Sequence, residues 1–438
     1  MAQLMAFNGL LYNPEKIPLL KDVATPPYDV ISPEKQDAFY EAHPNNIIRL
    51  ILGKSQASDT QGDCWQTRSA EYFCAWQEEK VLLQDKVPSF YFTEMDYIVD
   101  GKSMTRCGLI ALVRLEDFTK GEILPHERTF SATKSVRFRL IEAAKANFSQ
   151  IFSLYSDPGL LVNELCHDYI SGKSPDINFQ DSDGVFHRLW RVAEEDVINA
   201  IRDIFLSKPL YIADGHHRYE TALRYRDKCL NEKPNLPENA LCRYVMMYLS
   251  SMHDPGLTVL PTHRVLHGLA NEDMDTFFDK ASNYFDIETI ENSSGDRIFL
   301  ERLRTQGKVR NAIGVFMKTK EAFYVLSLKP EIMNEAFCDT IHTLLKRLDV
   351  TILTQIVLKK ILGLTEEYLD DEKSIKYISN DKDAIAYVRD KNGSMAFILN
   401  PTKVEQVQQT SNANLVMPRK STYFYPKVVT GMVLHKLE

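Results

Sequence analysis

The sequence predicts a mixed α/β protein, and three features of the chain lead to that fold class. Residues 89–115 and the region around 182–184 have the alternating pattern and the turn residues of β-hairpins. Strand-like and helix-like runs alternate along the chain, and residues 244–251 form a continuous apolar run of strand length. Such a run is typical of a buried strand, so we expect an α/β or α+β sheet protein.

The first half of the chain supplies these elements in order. In the first hairpin Asp100-Gly101 provides a two-residue turn, and Ser182-Asp183-Gly184 provides the turn of the second. The patterns of 135–148 and 194–205 predict helices. A short apolar strand at 209–214 precedes a helix at 219–230, and the buried strand at 244–251 follows.

The second half has fewer candidate catalytic residues and predicts a supporting region. Helical patterns cover 274–285, 296–306 and 350–364, and two strand patterns cover 312–318 and 321–328. We therefore expect three parts: a catalytic α/β region at 1–268, a supporting α/β domain at 269–414 and a tail at 415–438. The tail is expected to fold back toward the site, although a tail strand can also pack there without any function.

Composition excludes several classes of protein. The chain has 438 residues, of which 44% are hydrophobic and 26% charged, as in ordinary globular proteins. Its formal net charge of −8 makes it a poor generic partner for nucleic acid or anionic membranes. No apolar run approaches 18 residues, no signal peptide is evident, and the seven cysteines are scattered without a CxxC pair. We expect a cytoplasmic protein.

The densest polar motif is the segment 214–218, which follows the short apolar strand. Gly215 permits a tight turn between strand and helix, so the segment lies at a helix N-terminus, where unpaired N–H groups favour phosphate. Arg218 adds a cation, His216 and His217 can donate hydrogen bonds or carry protons, and Asp214 can hold Mg²⁺ or orient a histidine. The alternative is a plain helix cap.

A second polar cluster is LPHERT, at 124–129. Here Glu127 is a candidate general base toward a hydroxyl, with His126 orienting it. Lys134 and Arg137 follow three residues apart, so they share a helix face that can point at an anion. A solvated, charged helix start explains these residues equally well.

A third cluster follows the buried strand. His253, Thr262, His263 and Arg264 are candidate substrate contacts, because polar residues just beyond a buried strand often contact ligands. His263 and His267 have the spacing of a zinc pair on a helix, but no third ligand is evident.

The two ends of the chain add further candidates. The stiff turn TPPYDV at 25–30 fixes Asp29, and Arg49 lies in an apolar run that calls for an anionic partner, either a ligand or Asp29 itself. In the tail, Lys420 and Lys427 provide cations and Ser421 and Thr422 provide hydroxyls near aromatic residues. Of these, Lys420 is a candidate phosphate-binding cation, and Ser421 and Thr422 are candidate substrate contacts.

These motifs together resemble a known family. The segments ATPPYDVI, IIRLILGK, LPHERT, KANFSQIFSLYSD, YIADGHHRYETAL, DPGLTVLPTHR and MPRKSTYFYPK are similar to those of the bacterial and archaeal domain-of-unknown-function family DUF1015. The resemblance covers nearly the whole chain in order. The strand–DGHHR–helix element also resembles, more distantly, the ParB/sulfiredoxin superfamily, which implies a core of that kind.

One branch of that superfamily comprises free-serine kinases, and the resemblance implies a comparable chemistry. In that branch a loop Glu is the base, and a DGHHR-like loop binds phosphate and metal. By similarity Glu127 is the base, and 214–218 handle the phosphates and Mg²⁺. The function expected is phosphoryl transfer to a small hydroxyl metabolite, free serine first, with ATP, ADP or pyrophosphate as donor.

Other functions remain open at this level. The same groups can act as a phosphatase on phosphoserine or another small phosphate ester. A ParB-like nucleotide-dependent binding protein and a non-catalytic metabolite sensor are the alternatives from other classes. The expected partners are small molecules, with nucleic acid disfavoured, no membrane partner, and a homo-oligomer left open.

Overall fold

The predicted hairpins and the strand–loop–helix element belong to one of two units formed by the chain. The computed structural model describes residues 2–60, 62–127, 131–317, 319–320, 322–335, 341–371, 373–390 and 392–438. Unit 1 comprises residues 1–125, 129–257 and 426–438, and unit 2 comprises residues 126–128 and 258–425. The predicted domain boundaries at 268 and 414 stay a prediction.

Within the described residues, unit 1 contains a mixed sheet of nine strands. In chain order these are Leu4–Met5 (β1), Phe90–Val99 (β2), Lys102–Arg114 (β3), Ile123–Leu124 (β4), Ile151–Tyr155 (β5), Ile177–Gln180 (β6), Phe186–Val192 (β7), Leu210–Asp214 (β8) and Tyr244–Ser251 (β9). Their spatial order is β4-β8-β5-β9-β3-β2-β7-β6, with β1 beside β3. The pairs β4–β8 and β5–β9 are parallel and the others antiparallel. The predicted mixed α/β class is confirmed.

Both predicted hairpins are confirmed. Val99 lies opposite Lys102, so β2 and β3 are joined by Asp100 and Gly101 alone, with φ of 49° and 74°. Positive φ at both positions is the geometry of a type I′ turn, for which Asp-Gly is a favoured sequence. The strand β9 is buried along its whole length between β3 and β5, as its continuous apolar run predicts.

The described helices of unit 1 pack in more than one apolar cluster, and only some of them cover this sheet. They are Pro33–Ala42 (α1), Ile48–Ile51 (α2), Trp65–Glu78 (α3), Ser131–Ala144 (α4), Leu161–Ile170 (α5), Glu195–Phe205 (α6) and His216–Glu232 (α7). In α6 the apolar side chains recur three and four residues apart, and Ile198, Ile201 and Phe205 are buried in the core with strand residues such as Val113. Two short strand pairs complete unit 1: Leu10–Tyr12 with Leu82–Gln84, and Ala146–Asn147 with His435–Lys436.

Unit 2 has its own sheet, of six strands within the described residues. They are His263–Leu266 (β10), Phe285–Glu291 (β11), Ala312–Met317 (β12), Ala322–Leu328 (β13), Ile375–Ile378 (β14) and Met395–Leu399 (β15), in the antiparallel order β11-β13-β12-β15-β10-β14. A separate pair joins Thr258–Leu260 to Tyr423–Tyr425. The two strand patterns predicted at 312–328 therefore form a hairpin of this sheet.

The helices of unit 2 match the three helical patterns of the sequence and add shorter ones. They are Asn271–Ala281 (α8), Asp296–Val309 (α9), Ile332–Glu335 (α10), Thr343–Lys346 (α11), Asp349–Ile352 (α12), Glu366–Asp370 (α13), Asp381–Arg389 (α14) and Val404–Asn412 (α15). The third pattern continues from α12 into a π-helix at Leu353–Ile361. Short 3₁₀ turns lie at Leu20–Asp22, Tyr28–Val30, Phe118–Lys120, Leu241–Arg243 and Asn292–Ser294. Among the helices of the described residues, none has the length and hydropathy that a membrane span requires.

A substitution at Gly256 tests the packing of unit 1, because the main chain of this residue lies directly against β3. A Cβ at this position would lie 1.9 Å from the carbonyl oxygen of Thr105, which is main chain and has little freedom to move. The Tyr97 hydroxyl also donates to the Gly256 carbonyl at 2.6 Å. We expect Gly256→Ala to lower the free energy of unfolding by about 1–3 kcal/mol, measured by urea titration. Gly159→Ala is the control, since its Cβ meets nothing nearer than 3.6 Å, and equal losses in both variants would contradict this packing.

Candidate functional site

The DGHHR segment lies where the sequence predicts it, between a strand and a long helix. β8 ends at Asp214, Gly215 has φ +95°, and α7 begins at His216. The positive φ favours glycine at this position, and a Cβ there would come within 2.8 Å of the Arg218 side chain and displace it. The first N–H groups of α7 therefore belong to residues 216–218, as a phosphate site at a helix N-terminus requires.

Asp214 holds two cations in this segment. Its Oδ2 accepts from Arg218 at 2.5 Å and its Oδ1 accepts from Lys427 at 2.6 Å, and all three side chains are at most 13% exposed. Burial alone raises the pKa of a carboxyl, but the Lys427 and Arg218 charges outweigh it and hold the pKa of Asp214 well below its usual range. Arg218 also donates to the carbonyl of Gln150.

Arg137 is the most deeply buried cation of this region and is only 9% exposed. It donates to the Ile51 carbonyl at 2.6 Å, and its guanidinium carbon lies 3.5 Å from the centre of the Tyr28 ring. Its Nε has no hydrogen-bond partner among the described residues. Burial lowers the pKa of this guanidinium, yet an arginine stays charged at neutral pH.

A cavity of about 70 Å³ adjoins Arg137 and Arg218, which is room for several water molecules or a small anion. Its lining combines the two guanidinium groups with small polar side chains and an apolar wall: Tyr28, Ile51, Arg137, Leu140, Ile141, Ala146, Asn147, Phe148, Ser149, Ile151, Arg218, Thr221 and Val245. We call it the arginine cavity. His216 and His217, which the sequence singles out with Arg218, are not among these lining residues.

Other predicted residues of unit 1 have ordinary structural partners. Lys134 forms an ion pair with Glu220 of α7 at 2.7 Å. The Arg49 guanidinium donates to the carbonyls of Tyr40 and His43. Main-chain oxygens therefore satisfy two hydrogen-bond donors of this cation in its apolar surroundings. Among the ion pairs of the described residues, none joins it to Asp29, which is exposed. His253 lies 3.1 Å from the Ser156 hydroxyl, between its Nε2 and that Oγ.

The remaining predicted residues assemble in unit 2. Glu127 forms an isolated parallel bridge with Met417, whose N–H donates to the His126 carbonyl at 2.9 Å. The His126 Nε2 lies 3.0 Å from the Thr422 hydroxyl. Unit 2 therefore brings His126 and Glu127 of LPHERT to the segment 417–422, whereas Arg128 and Thr129 of that motif lie outside the described residues.

Arg264 is the buried cation of this second cluster. It is 3% exposed and donates to three carbonyls, those of Thr262, Arg419 and Lys420, the last with φ +54°. Burial lowers the pKa of Arg264 to about 10, against the opposing charges of Tyr377 and Glu127. Ser421 donates to the Pro418 carbonyl, so its hydroxyl fixes the turn.

His263 and His267, whose spacing would suit a zinc pair on a helix, do not share a helix. His263 lies on the strand β10, and its Nδ1 accepts the Leu399 N–H at 3.1 Å. Burial and the charges of Arg264 and Arg304 lower its pKa to about 3, so the ring is neutral. The segment His263–Leu266 is a strand, so the four-residue interval does not place His263 and His267 on one helix face, in keeping with the lack of a third zinc ligand in the sequence.

Several residues of the arginine cavity were not assigned a role from the sequence. Tyr28 lies in TPPYDV, and Asn147 and Ser149 lie in KANFSQ, so each belongs to a segment that carries the family resemblance. Lys427, the last residue of MPRKSTYFYPK, contacts Asp214 and is not one of the lining residues. The motifs marked the right segments. What they lacked was the identity of the side chain that faces the cavity or Asp214.

Removal of the Asp214 charge tests the two buried ion pairs. We expect Asp214→Asn to cost about 3–5 kcal/mol of unfolding free energy, because Lys427 and Arg218 are left without a counter-charge. The folded pKa lies below the unfolded value of about 3.9, so this stabilisation is present above that pH and is lost as the pH falls through the folded pKa. Urea titrations at neutral and acid pH measure both effects.

The control is Glu142→Gln, which removes a more exposed pair between α4 and Lys228 of α7. It is expected to change the unfolding free energy by less than about 1 kcal/mol. A loss in Asp214→Asn no greater than in this control would show that the buried pairs do not stabilise unit 1.

Several solved structures are similar to this chain at low sequence identity. The chain is similar to a conserved hypothetical protein from Pyrococcus furiosus, at 13% identity and a TM-score of 0.35, over 73% of this chain and 92% of that one. It is similar to a free serine kinase in complex with AMP, at 12% identity and 0.34, over 72% and 86%. It is also similar to SbnI with C-terminal truncation from Staphylococcus aureus, at 10% and 0.35, over 73% and 85%. No curated protein matches. The family model described as protein of unknown function (DUF1015) matches residues 4–351, and the chain therefore belongs to that family.

Proposed function

We propose that this protein transfers a phosphoryl group to or from a small hydroxyl compound, with free serine and O-phosphoserine as the first candidates. The observation that carries the proposal is the Arg137 guanidinium, which is buried at the arginine cavity with a hydrogen-bond donor, Nε, left without a partner among the described residues. Buried donors are almost always paired, so an unpaired charged donor at a cavity is complementary to an anionic ligand.

Charge supports a phosphate rather than a neutral ligand. The buried groups of this region comprise three cations, Arg137, Arg218 and Lys427, and one carboxylate, Asp214, which leaves an excess of two positive charges. The N-terminal end of α7 adds a positive dipole end beside Arg218. A phosphoryl dianion balances that charge, and phosphoryl transfer depends mainly on such positioning and neutralisation.

The predicted Mg²⁺ at Asp214 does not fit the arrangement of that carboxylate. Each of its oxygens already accepts from a cation, Lys427 on one side and Arg218 on the other. A metal ion there would have to displace an ammonium or a guanidinium group. Asp214 therefore acts in this proposal as the group that orients the two cations, and no step is assigned to a metal at that residue.

Glu127, in unit 2, is the proposed proton acceptor. Its role comes from the resemblance of the PHERT motif to the loop Glu of free-serine kinases. In the transfer, the hydroxyl oxygen forms a bond to phosphorus, its proton passes to the Glu127 carboxylate, and the bond from phosphorus to the donor oxygen breaks. The reverse assignment, a phosphatase in which Glu127 or a histidine activates water, uses the same groups.

Direct binding tests the arginine cavity. We expect Arg137→Gln to weaken binding of pyrophosphate, ADP or ATP by about 10- to 150-fold, the equivalent of one charged hydrogen bond. Isothermal titration calorimetry on the full chain measures it, with folding checked by circular dichroism. Arg139→Gln is the matched control, because Arg139 lies on the same helix but is exposed. Equal affinities in wild type and Arg137→Gln would refute the proposal at its main observation.

Turnover tests Glu127. We expect Glu127→Gln to lower kcat by about 10²- to 10⁴-fold, as for the loss of a positioned base, while phosphate binding is retained. The assay supplies serine with ATP, ADP or pyrophosphate in one series and O-phosphoserine alone in the other, so it also decides direction and donor. Glu405→Gln, an exposed glutamate of α15, serves as the control. Wild-type kcat in Glu127→Gln would remove it as the base.

A further inference from the structure

We propose that unit 1 carries a zinc site formed by Glu94, Cys107 and His167. The His167 Nε2 lies 3.1 Å from Glu94 Oε1 and 3.8 Å from Cys107 Sγ, and the three donor atoms all lie within 4.8 Å of one another. Nothing in the proposed phosphoryl transfer uses these residues. Within the described residues, these three form a cluster of histidine, cysteine and acidic side chains with ligand atoms within 4.8 Å of one another.

The fold explains why these three side chains meet. Glu94 on β2 and Cys107 on β3 are directly opposite each other in the antiparallel pair, so their side chains stand side by side on one face of the sheet. His167 comes from α5, and its ring packs edge-on against Phe92 at 5.3 Å between ring centres. Two strands and a helix thus fix three donors independently of any loop, as a preorganised metal site requires.

The donor set and its spacing fit zinc. Zinc in proteins takes thiolate sulfur, imidazole nitrogen and carboxylate oxygen at about 2.0–2.3 Å in a tetrahedral arrangement, which places donors about 3.3–3.8 Å apart. The N···O and N···S distances of 3.1 and 3.8 Å lie close to that range, and the donor atoms of Glu94 and Cys107 lie within 4.8 Å of each other. A thiolate ligand disfavours Mg²⁺ and Ca²⁺. Three protein ligands leave a fourth position for water or a substrate atom.

Neighbouring groups hold the donors without occupying the atoms that would bind the metal. Arg188 contacts Oε2 of Glu94 at 2.8 and 2.9 Å and directs its other nitrogen to Asp96, whereas Oε1 of Glu94 faces His167. The Asp254 carboxylate accepts the Cys107 N–H at 3.2 Å and fixes the main chain of that ligand. Such supporting contacts orient the ligands of protein metal sites.

Charge and access are also compatible with a divalent cation. Zn²⁺ with one thiolate, one carboxylate and one neutral imidazole is electrically neutral, and the Arg188–Asp96 pair adds no net charge. Binding releases the Cys107 thiol proton to solvent, and no electron transfer is involved. The His167 side chain is 46% exposed, so the ion can enter from its side, whereas Cys107 is buried.

The test is metal binding by the full chain after dialysis against a chelator. We expect one Zn²⁺ per chain in a titration against a chromophoric chelator, and a sulfur-to-metal charge-transfer absorption when Co²⁺ replaces Zn²⁺. Cys107→Ser should abolish that absorption, and both Cys107→Ser and His167→Gln should weaken zinc binding at least tenfold. Cys74→Ser, an exposed cysteine of α3, is the control and should bind zinc as wild type does.

Several results would overturn the site. They are no stoichiometric zinc uptake by the wild type, a cobalt complex without the thiolate absorption, or unchanged affinity in His167→Gln. That variant is the safeguard against misfolding, since its half-exposed side chain can be replaced with little effect on the core. Circular dichroism of each variant confirms that a lost site is not a lost fold. None of these readouts depends on phosphoryl transfer, so either proposal can fail alone.

Discussion

The buried carboxylate of Asp214 is the constraint on which the candidate site depends. Taking an ion out of water costs several kcal/mol, and a pair recovers this cost only when both partners are well placed. Here one carboxylate serves two cations, so the Arg218 and Lys427 side chains have little freedom to turn elsewhere. The strand end, the helix start and the last segment of the chain are thereby held at a single group.

The positive charge around Asp214 exceeds what is needed to neutralise that carboxylate. A protein that only needed to satisfy Asp214 could do so with one cation and main-chain donors. The presence of a second cation, and of Arg137 with its stacked Tyr28 ring and an Nε that has no hydrogen-bond partner among the described residues, keeps the region electropositive. Cations that are fixed before a ligand arrives stabilise an anion without a cost for reorganisation, and transferred phosphoryl groups benefit from that.

Local patterns in the sequence predicted most of the elements, while the pairing between distant segments could not be derived from them. Asp100-Gly101 fixes its hairpin because the turn needs two residues with positive φ, a property of those residues alone. Gly215 between a strand and a helix is equally local. By contrast, nothing near Asp214 indicates Lys427, which lies 213 residues further along the chain. The same holds for the bridge between Glu127 and Met417, both of which belong to unit 2.

The spacing of residues along the chain cannot distinguish two kinds of secondary structure that are compatible with the same spacing. His263 and His267 have a helical interval but lie at a strand, and the helix predicted at 350–364 contains a π-helical stretch whose wider turns leave no distinct pattern in the residues. The three zinc-donor candidates were missed for the opposite reason. Glu94, Cys107 and His167 form no recognisable sequence motif, because it is the sheet register and the packing of α5 that bring them together.

The order in which the chain is made gives the pairing of residues 426–438 with unit 1 a further consequence. Thr430 pairs with Thr25, Leu434 pairs with Leu10, and Lys427 reaches Asp214, so unit 1 is completed by residues that the ribosome adds after all of unit 2. During synthesis Leu10 and Thr25 lack these bridge partners until the end of the chain has been made. A chain that stops early in unit 2 leaves Asp214 with a single cation, and such a product is a natural substrate for the proteases that clear unfinished proteins.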